Sequence, residues 1–517
     1  MNTRLFVKKL QNKLFHTDVR AYRKWFLARR ADRSDIYKES TAVFAEMPLI
    51  SVLVPVYKTP LPFLHEMISS VVAQTYTHWE LIVVNATPGG GGPLSERLNR
   101  WAQKDNRIKV YDLPENKGIS GNTNAAFALA NGEFVALFDH DDVLEPDALY
   151  EYVKAYNHNP ELDMFYCDED KITEKSEDFF FPNFKPDYNP DMLYAGNYIC
   201  HFLMVRKTLA EQAGLWNPDF DGAQDFDFIL RCTEISERIY HVPRILYHWR
   251  SHSGSTAKSQ GEKSYASEAG KRALKAHFDR VGIPVRIEDA SHPGWYHVHY
   301  PEVPQSEITE VVVPSGTLYE KMRPIWATLR VPKGKYILLR GVHTAPLTAE
   351  QQSRLAGPLC REDVGICGAK IMYQNHETFR CGYHQPGNGI LRPYFLRLPE
   401  KEVGYMMRAV TTADVAVVSV ECLMVKRDLL LQIAHEMETL YQARKEEQED
   451  SLSGILAHYC YALGKRVCNV PEVMALTDRK PSHKMTEKVP KGLFDRMTYK
   501  DPGYNRNLSD MADFELK

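Results

Sequence analysis

Residues 134–142 read Phe-Val-Ala-Leu-Phe-Asp-His-Asp-Asp, an apolar run that leads directly into a cluster of carboxylates. The run has the length and composition of a strand that is buried on both faces. The carboxylates of Asp139, Asp141 and Asp142 repel one another unless a positive charge neutralises them. A hard divalent ion such as Mg²⁺ or Mn²⁺ does this and keeps positions open for phosphate oxygens. The structural alternative is that Asp142 caps a helix over 146–156. We call residues 139–142 the acidic segment, and it predicts a divalent-metal site at the end of a buried strand.

The residues around the acidic segment alternate between strand and helix patterns. Apolar, β-branched runs predict buried strands, and apolar residues at i, i+3, i+4 and i+7 predict amphipathic helices. This alternation indicates a parallel α/β sheet, and in such sheets ligands bind at the carboxyl ends of the strands. The glycine cluster 89–92 predicts a flexible loop. The predicted strands are 49–57, 79–84, 108–111 and 133–138, and the predicted helices are 61–75 and 121–130.

The composition sets the broad class of the protein. At 517 residues the chain is too long for one hydrophobic core, which predicts two or three domains. Its formal net charge of -3 gives no basic field, so nucleic acid is not an expected partner. The nine cysteines form no C-x-x-C pair, which favours reduced thiols over a zinc knuckle or a disulfide framework. The sequence shows no apolar run of membrane-spanning length and no signal peptide, so the expected location is the cytoplasm.

Residues 1–48 form a leader in which lysine and arginine outnumber the acidic residues. Leu5, Leu10, Leu14 and Phe15 recur near helical spacing. A basic amphipathic helix of this kind can lie on an anionic membrane surface. The alternative is a helix that packs on the protein itself and leaves its basic face in solvent. Both interpretations remain open at this point.

Three longer stretches occur in an order that is typical of one enzyme family. They are VPVYKTPLPFLHEMISSVVAQTYTHWELIVVN (54–85), NKGISGNTNAAFALANGEFVALFDHDD (116–142) and FDGAQDFDFILR (220–231). Together they resemble the family-two glycosyltransferases with the GT-A fold, in particular bacterial enzymes that build rhamnose-containing or related surface polysaccharides such as O-antigen. The resemblance covers roughly residues 49–257. It implies inverting transfer of a sugar from a nucleoside diphosphate donor to an acceptor hydroxyl.

The resemblance assigns the acidic segment to the donor. Asp141 would bind a Mn²⁺ or Mg²⁺ ion that bridges the donor diphosphate, and Asp139 would join it and contact the donor ribose or sugar. Asn85 stands where the family usually has an aspartate, so it keeps a hydrogen bond but loses the charge. The helix start near Gly118 would offer N–H groups to anions, and Arg250 would clamp the diphosphate. The donor-side residues implied besides Asp139 are Pro55, Val56, Tyr57, Asn85, Lys117, Gly118, Asn122, Asn124, His140 and Arg250.

The resemblance also places the base and the acceptor. Asp225 matches the catalytic base, which takes the proton of the acceptor hydroxyl; the alternative is an aspartate that only starts a helix. His248 would be a third metal ligand, or else a structural hydrogen-bonding residue, and 253–256 resembles a segment that closes over the donor. Aromatic residues beside carboxylates suit sugar binding, although Glu169 and Asp170 could equally form a solvated acidic loop. The implied acceptor residues are Asp168, Glu169, Asp170, Lys171, Lys185, His201 and Gln224.

Residues 300–485 repeat the family's pattern in reduced form. The stretch 334–339 parallels the strand before the acidic segment, but 340–344 carries no carboxylate. The pair Glu449 and Asp450 parallels the region of Asp225. We expect a degenerate GT-A-like domain that has lost the first nucleotide-binding strand–helix units. Such a domain would support the catalytic domain over 49–290, bind acceptor glycan or form an oligomer contact, and it would precede a packed or loose tail over 486–517.

The sequence therefore predicts an α/β protein with a GT-A domain, followed by a degenerate one. The expected function is inverting transfer from a dTDP- or UDP-linked sugar to a glycan or lipid-linked glycan, at the cytoplasmic face of the membrane. Rhamnosyl transfer is favoured on resemblance alone. A nucleotidylyltransferase of similar fold would need a glycine-rich basic loop after its first strand, and 57–60 offers none. A non-catalytic glycan-binding or scaffold protein conflicts with Asp139, Asp141 and Asp225 in the first domain, but it remains open for the second.

Overall fold

The computed structural model describes residues 19–252, 260–385, 389–443, 451–482, 486–489, 501–508 and 516. In these residues, two large sheets with helices between their strands follow one another along the chain, and two smaller sheets have two and three strands. We call residues 50–251, which carry the first sheet, the first module, and residues 308–477, which carry the second sheet, the second module. The fold class expected from the sequence, one α/β domain followed by a second, is confirmed.

The helices and strands begin and end as follows. Through the first module they are α1 (Val19–Leu27), α2 (Arg33–Ser40), β1 (Ile50–Val56), α3 (Leu61–Val72), β2 (Trp79–Asn85), α4 (Pro93–Lys104), β3 (Ile108–Asp112), α5 (Gly118–Phe127), β4 (Phe134–Leu137), β5 (Val143–Leu144), α6 (Ala148–His158), β6 (Met164–Thr173), β7 (Phe179–Asn183), α7 (Pro190–Ala195), β8 (Met204–Arg206), α8 (Lys207–Ala213), α9 (Gln224–Ile235) and β9 (Ile239–Ser251). From there on they are α10 (Gln260–Arg280), β10 (Arg286–Asp289), β11 (Tyr296–His299), β12 (Ile308–Val313), α11 (Leu318–Leu329), β13 (Tyr336–Gly341), α12 (Ala349–Ala356), β14 (Val364–Tyr373), β15 (Thr378–Arg380), β16 (Tyr383–His384), β17 (Ile390–Pro393), β18 (Ala413–Asp414), β19 (Cys422–Lys426), α13 (Arg427–Ala443), α14 (Leu452–Ala462), β20 (Arg466–Thr477) and β21 (Glu487–Lys488).

The first sheet is mixed. Its strands lie in the order β3-β2-β1-β4-β8-β6-β9-β5, with β7 beside β6. Strands β1 to β4 run parallel, as the alternating pattern predicts, but β8 lies antiparallel between β4 and β6. The expectation of a purely parallel sheet is corrected here, because β8 is a three-residue strand that is too short to show a period in the sequence.

Burial on both faces explains the apolar strands of the first module. All residues of β1 are buried. Val52 and Val54 pack in the same cluster as Leu64 and Met67 of α3, whereas Leu53 packs in a different cluster. Because successive side chains of a strand point to opposite faces, this division shows that both faces of β1 are covered. The carboxyl ends of β1, β2 and β4 then meet at one edge of the sheet.

Helix α1 of the leader packs on the first module. Its Tyr22 and Phe26 are buried. The ring of Phe26 lies 4.8 Å from that of Phe179, and the hydroxyl of Tyr22 donates to Asp170 Oδ2 over 2.5 Å. Residues 19–27 thus follow the alternative of a helix packed on the protein, while the apolar residues at 5–15 lie outside the described residues. No helix in the described part of the chain is both long and apolar enough to cross a membrane.

The second sheet repeats the pairing pattern of the first. Its order is β12-β13-β19-β14-β20-β18, with β15 beside β14. β12 pairs parallel with β13 as β1 does with β4, and β19 lies antiparallel between β13 and β14 as β8 does between β4 and β6. β14 pairs parallel with β20 as β6 does with β9. In the described residues no strand corresponds to β2 or β3. β12 does correspond to β1, so the expectation that the second module has lost the first strand is wrong. Glu449 and Asp450 lie outside the described residues.

The strand register shows what replaces the acidic segment in the second module. Phe134 of β4 pairs with Arg206 of β8, and Tyr336 of β13 pairs with Lys426 of β19. Both partner strands lead directly into a helix, so the two modules align without a gap at this point. On this register Gly341–Thr344 takes the place of the acidic segment. The register therefore supports the alignment made from the sequence, in which residues without carboxylates replace the acidic segment.

Buried polar contacts join the two modules. Asp191 Oδ1 accepts from Arg361 over 2.5 Å, and Asp191 Oδ2 accepts from Arg466 over 2.6 Å. Near the end of the chain, Asn505 Nδ2 donates to Asp168 Oδ1 over 2.8 Å. Asn505 thus packs against the first module, whereas Glu487 and Asp501 contact Tyr383 and His384 of the second module. The remainder of the tail lies outside the described residues.

Candidate active site

The acidic segment follows β4 at the carboxyl edge of the first sheet. Asp139 is half exposed, whereas Asp142 is buried. Asp142 accepts hydrogen bonds from the Tyr247 hydroxyl over 2.5 Å and from the Arg250 backbone N–H over 2.7 Å. Helix α6 begins after Asp147, so Asp142 anchors β9 and does not cap that helix. Burial raises the pKa of the Asp142 carboxyl, and the negative charges of Asp141 and Asp139 raise it further.

Oxygen and nitrogen ligand atoms gather around the acidic segment. One ligand atom each of Asp139, Asp142 and His201 lies within 4.8 Å of the others. Asp141 Oδ2 lies 2.8 Å from His252 Nε2. A nearby cation stabilises the ionised form of a carboxylate that lies beside other negative charges, as Asp142 does. Oxygen with imidazole nitrogen suits Mn²⁺ and Mg²⁺. These residues therefore fit a divalent ion. The sequence did not single out His252, although it lies in the same segment as His248.

His248 lies elsewhere, inside the first module. Its Nδ1 is 2.5 Å from Asp170 Oδ1 and its Nε2 is 2.9 Å from Glu145 Oε1. Burial lowers the pKa of this imidazole, but the two carboxylates outweigh burial and raise the pKa to about 9. Both ring nitrogens thus face carboxylates, which is the structural alternative named above. The structure brings His252, rather than His248, to Asp141.

Asp225 lies at the start of α9 and close to Asp139. Its Oδ1 accepts from the Phe226 backbone N–H over 2.8 Å, and its Oδ2 accepts from Asn197 Nδ2 over 2.8 Å. Burial raises the pKa of the Asp225 carboxyl, the nearby His201 lowers it, and Asp139 raises it. A carboxylate whose pKa is raised toward neutrality is a better proton acceptor. The same residue thus starts a helix and presents a partly desolvated carboxylate.

His201 lies between the acidic segment and Asp225. Its Nε2 is 3.9 Å from Asp139 Oδ2, and its ring stacks on Tyr247 with centroids 4.6 Å apart. Tyr247 in turn holds Asp142. A predicted acceptor residue, the predicted base and the predicted metal ligands therefore meet in one place, although they come from distant parts of the chain.

Four of the predicted donor-side residues lie at the ends of β1 and β2. Pro55 and Val56 pair with Val84 and Asn85, and Tyr57 after them is 38% exposed. The Asn85 side chain donates to Asp112 Oδ1 over 2.7 Å. Asp112, the last residue of β3, was not predicted. Asp112 places a carboxylate beside Asn85, the position at which the resembling family usually has an aspartate.

The start of α5 is stabilised from within the protein. Ser120 donates its hydroxyl to Asp221 Oδ1 over 2.5 Å, and Gly118 has a φ of +77° with the other carboxylate oxygen of Asp221 2.8 Å from where a Cβ would be. The anion expected at this helix start is thus partly supplied by Asp221. Asn122 Oδ1 accepts from the Lys117 backbone N–H over 3.1 Å.

Two other donor-side predictions fall on residues that make structural contacts. Asn124 Nδ2 donates to the Trp216 carbonyl over 2.8 Å. The guanidinium of Arg250 is fully buried, with Nη2 2.7 Å from Glu66 Oε2 and Nη1 2.7 Å from the Ser176 hydroxyl. The structure places this cation inside the protein, where it holds β9 to the segment before β7. His140 Nδ1 lies 3.8 Å from Asp141 Oδ1, and residues 253–256 lie outside the described residues.

The carboxylates of 168–170 are buried and paired. Asp168 Oδ1 lies 2.9 Å from His241 Nε2, and Glu169 Oε2 lies 2.9 Å from Lys185 Nζ. Burial raises the pKa of Glu169, but Lys185 outweighs it and the net pKa is lowered. The alternative of a solvated acidic loop is thus not what the structure shows. Lys171 Nζ lies 4.5 Å above the Trp249 ring.

A cavity of about 280 Å³ opens beside these residues. Glu169, Asp170 and Lys171 line it together with Asn197, which bonds to Asp225. Of the remaining predicted acceptor residues, Gln224 accepts from the Gly222 backbone N–H over 2.9 Å. The cavity therefore adjoins the predicted base.

Known proteins share this sequence pattern. Residues 51–214 match the family model described as Glycosyl transferase family 2. Over 441 residues the chain is 30% identical to the uncharacterised protein y4gI of Sinorhizobium fredii, covering 74% of this chain and 48% of that protein. Over 331 residues it is 33% identical to the O-antigen biosynthesis protein RfbC of Myxococcus xanthus, covering 63% of this chain and 26% of that protein. The chain spans about half of the first relative's length and about a quarter of the second's.

Among solved structures, that of S. aureus TarS 1-349 matches 44% of this chain and 72% of that chain, with 19% sequence identity and a TM-score of 0.34. The family match covers β1 to β8 of the first module, which includes the acidic segment and ends before Asp225. We conclude that this chain contains a glycosyl transferase family 2 domain, formed by residues 51–214.

Proposed function

We propose that this protein is an inverting glycosyltransferase that transfers a sugar from a nucleoside diphosphate sugar to a glycan or lipid-linked glycan during surface-polysaccharide synthesis. The observation that carries the proposal is the meeting of Asp225, His201 and Asp139 beside a cavity. The relative named for O-antigen biosynthesis supports the polysaccharide context. A dTDP- or UDP-linked donor, with rhamnose as the favoured sugar, rests on the resemblance alone, as does action at the cytoplasmic membrane face.

In the proposed reaction, Asp225 accepts the proton of the acceptor hydroxyl. As the acceptor oxygen forms its bond to the anomeric carbon, the bond from that carbon to the diphosphate breaks and the nucleoside diphosphate leaves. Asp225 takes the acceptor proton, and single displacement inverts the anomeric centre without an enzyme nucleophile. The hydrogen bonds from Asn197 and from the Phe226 backbone fix the carboxylate oxygens. Holding a catalytic group in place in this way lowers the entropic part of the barrier.

Asp139, Asp141 and His252 would hold the divalent ion. Asp142 would keep the acidic segment in place, because it accepts hydrogen bonds from Tyr247 and from the Arg250 backbone. When bound, Mn²⁺ or Mg²⁺ supplies positive charge to the donor diphosphate. The protein residues bring their carboxylates together before any ligand arrives. Burial raises the pKa of Asp142 most, and repulsion from Asp141 and Asp139 in this arrangement raises it further.

The substitution Asp225→Asn tests the proposal. It removes the base and keeps the shape of the side chain, so we expect transfer to fall by roughly 10²–10⁴-fold while donor binding stays within about two-fold of wild type. Release of nucleoside diphosphate in the presence of acceptor and binding of UDP or dTDP with Mn²⁺ would be measured. Asp219→Asn, the same change at an exposed residue of the preceding loop, is the matched control and should leave both unchanged. Wild-type turnover by the Asp225→Asn variant would reject the assignment.

A further inference from the structure

A loop of the second module closes one side of the cavity beside Asp225. Val403, Gly404, Met406 and Met407 line the cavity together with residues of the first module and of the turn between β10 and β11. The second module carries no carboxylates at the position of the acidic segment, so it cannot repeat the proposed chemistry there. Its contribution to this cavity gives it a different role.

Tyr405 fixes this loop to the first module. It is buried, and its hydroxyl accepts from the Phe184 backbone N–H over 2.8 Å and lies 3.4 Å from the Pro182 carbonyl oxygen. Both partners belong to the chain at the end of β7, which carries the cavity residues Phe181 and Asn183. The loop is therefore a built wall of the cavity rather than a neighbouring segment that happens to lie close.

Three side chains that line the cavity have backbones in the left-handed region. The φ angles are +49° for Met406, +60° for Met407 and +51° for Phe181. Residues with a Cβ, other than asparagine and aspartate, rarely adopt this conformation, because it strains the backbone. Such strain persists where the surrounding structure enforces it, and it concentrates at ligand sites. Its occurrence on both sides of one cavity points to a ligand there.

The lining suits a sugar. Trp249 and Trp295 offer partly exposed aromatic surface, on which the C–H face of a pyranose can pack. Polar groups lie at the edges, among them Glu169 and Lys171. Asn183 also lines the cavity, and its Nδ2 donates to Glu169 Oε1 over 3.4 Å. The cavity volume of about 280 Å³ lies just below the roughly 300–1,000 Å³ of drug-sized ligand pockets, which suits a single sugar unit.

One residue connects the cavity to the base. Asn197 lines the cavity, and its Nδ2 donates to Asp225 Oδ2 over 2.8 Å. A sugar ring in the cavity would thus lie next to the carboxylate that takes the acceptor proton. We propose that the loop Val403–Met407 of the second module forms one wall of the acceptor subsite and determines which acceptor sugar fits. The proposal rests on the proposed function, because it names the substrate that Asp225 deprotonates.

Truncation of the loop side chains tests this role. Met406→Ala and Met407→Ala widen the cavity, and Trp295→Ala removes an aromatic surface from the turn between β10 and β11. Binding of p-nitrophenyl glycosides of rhamnose, glucose, galactose and N-acetylglucosamine would be measured by titration calorimetry on the full chain with UDP and Mn²⁺. We expect the best-bound glycoside to lose at least five-fold in affinity in each variant, and the order of preference to change in the methionine variants. Binding of UDP with Mn²⁺ should stay within two-fold.

Met437→Ala is the matched control, because Met437 is a buried methionine of the same module in α13, away from the cavity lining. It should lower the melting temperature without changing glycoside binding. Unchanged glycoside affinity and preference in all three cavity variants would overturn the proposal, as would wild-type protein that binds UDP but none of the glycosides. Failure of wild-type protein to bind any nucleotide or to transfer any sugar would instead count against the proposed function.

Discussion

At the scale of single residues, two histidines of one segment have different surroundings. His248 lies between Asp170 and Glu145, and His252 lies against Asp141. The sequence directs attention to this segment but cannot choose between them. The choice depends on β6 and β9, whose pairing shifts register near Asp168 and so decides which side chains meet. Long-range register of this kind leaves no local pattern.

His252→Ala should weaken Mn²⁺-dependent binding of UDP by about ten-fold or more, because it removes an imidazole from the carboxylates that hold the ion. His248→Gln is the control. It should lower the melting temperature, since it leaves Asp170 and Glu145 without their shared cation, and it should leave nucleotide binding within two-fold. Titration of each variant with UDP at fixed Mn²⁺ measures the effect. Equal nucleotide affinity in His252→Ala and wild type would remove His252 from the site.

Other residues of the site could be predicted because the chemistry is local. The acidic segment and Asp225 stand out by composition and by resemblance, and the structure places them together. Asp112 could not be found in this way. It is one aspartate at the end of a strand, and only the pairing of β2 with β3 brings it to Asn85.

At the scale of elements, the strands β1, β2 and β4 were predicted to within about one residue at most ends, because burial on both faces leaves an unbroken apolar run. Helix α4 was missed, since only Leu94 and Leu98 of it are buried and a glycine cluster precedes it. Helix α5 begins at Gly118 rather than at residue 121. Its start depends on Asp221, a residue about a hundred positions away, so no local cap marks it.

The stability of the folded protein should depend on pH through Glu39 of α2. Burial raises the pKa of this carboxyl to about 7, and the negative charge of Asp147 adds to the rise. A raised carboxyl pKa favours the protonated form in the folded state. Relative to the ionised form, protonated Glu39 therefore stabilises the folded state. This stabilisation is complete below the ordinary glutamate pKa of about 4.3 and is lost as the pH rises through about 7.

Glu39→Gln removes this dependence. We expect the melting temperature of the variant, relative to wild type, to be higher at pH 8 than at pH 5, because only wild type then carries the ionised carboxylate near Asp147 and Glu151. Calorimetry at the two pH values measures the difference. Glu46→Gln, at an exposed position of the same leader, should give the same difference at both. A pH-independent effect of Glu39→Gln would contradict the assignment.

At the scale of the whole molecule, the two large sheets share a pairing pattern but differ in the strands that they keep. The second keeps the pairing pattern from β12 to β20, yet it has no counterparts of β2 and β3 in the described residues. In the first sheet those strands carry Asn85 and Asp112 at their ends. Within its described residues, the second module thus lacks both the acidic segment and the strands that are predicted to lie on the donor side. This agrees with the role on the acceptor side that is proposed above. The sequence predicts only in outline that the second module is a reduced copy of the first. The similarity of the two modules lies mainly in how their strands pair, and less in which residues the strands carry.

The two modules should depend on Asp191 for their mutual packing. Burial raises the pKa of this carboxyl, but Arg361 and Arg466 of the second module outweigh it and hold the pKa well below the usual range. Removing one partner of a buried ion pair leaves the other charge uncompensated, which typically costs about 3–5 kcal/mol. Asp191→Asn should therefore lower the urea midpoint of unfolding strongly, with a loss of that order in the free energy of unfolding.

Asp363 provides the comparison for this prediction. It also pairs with Arg466, but its side chain is 52% exposed, and exposed pairs contribute only about 0–1 kcal/mol. Asp363→Asn should therefore shift the urea midpoint little. Because Asp191 bridges the modules while Asp363 pairs within one of them, Asp191→Asn should also separate their unfolding into two transitions when followed by tryptophan fluorescence and circular dichroism. Equal midpoints for the two variants would show that the buried network does not hold the modules together.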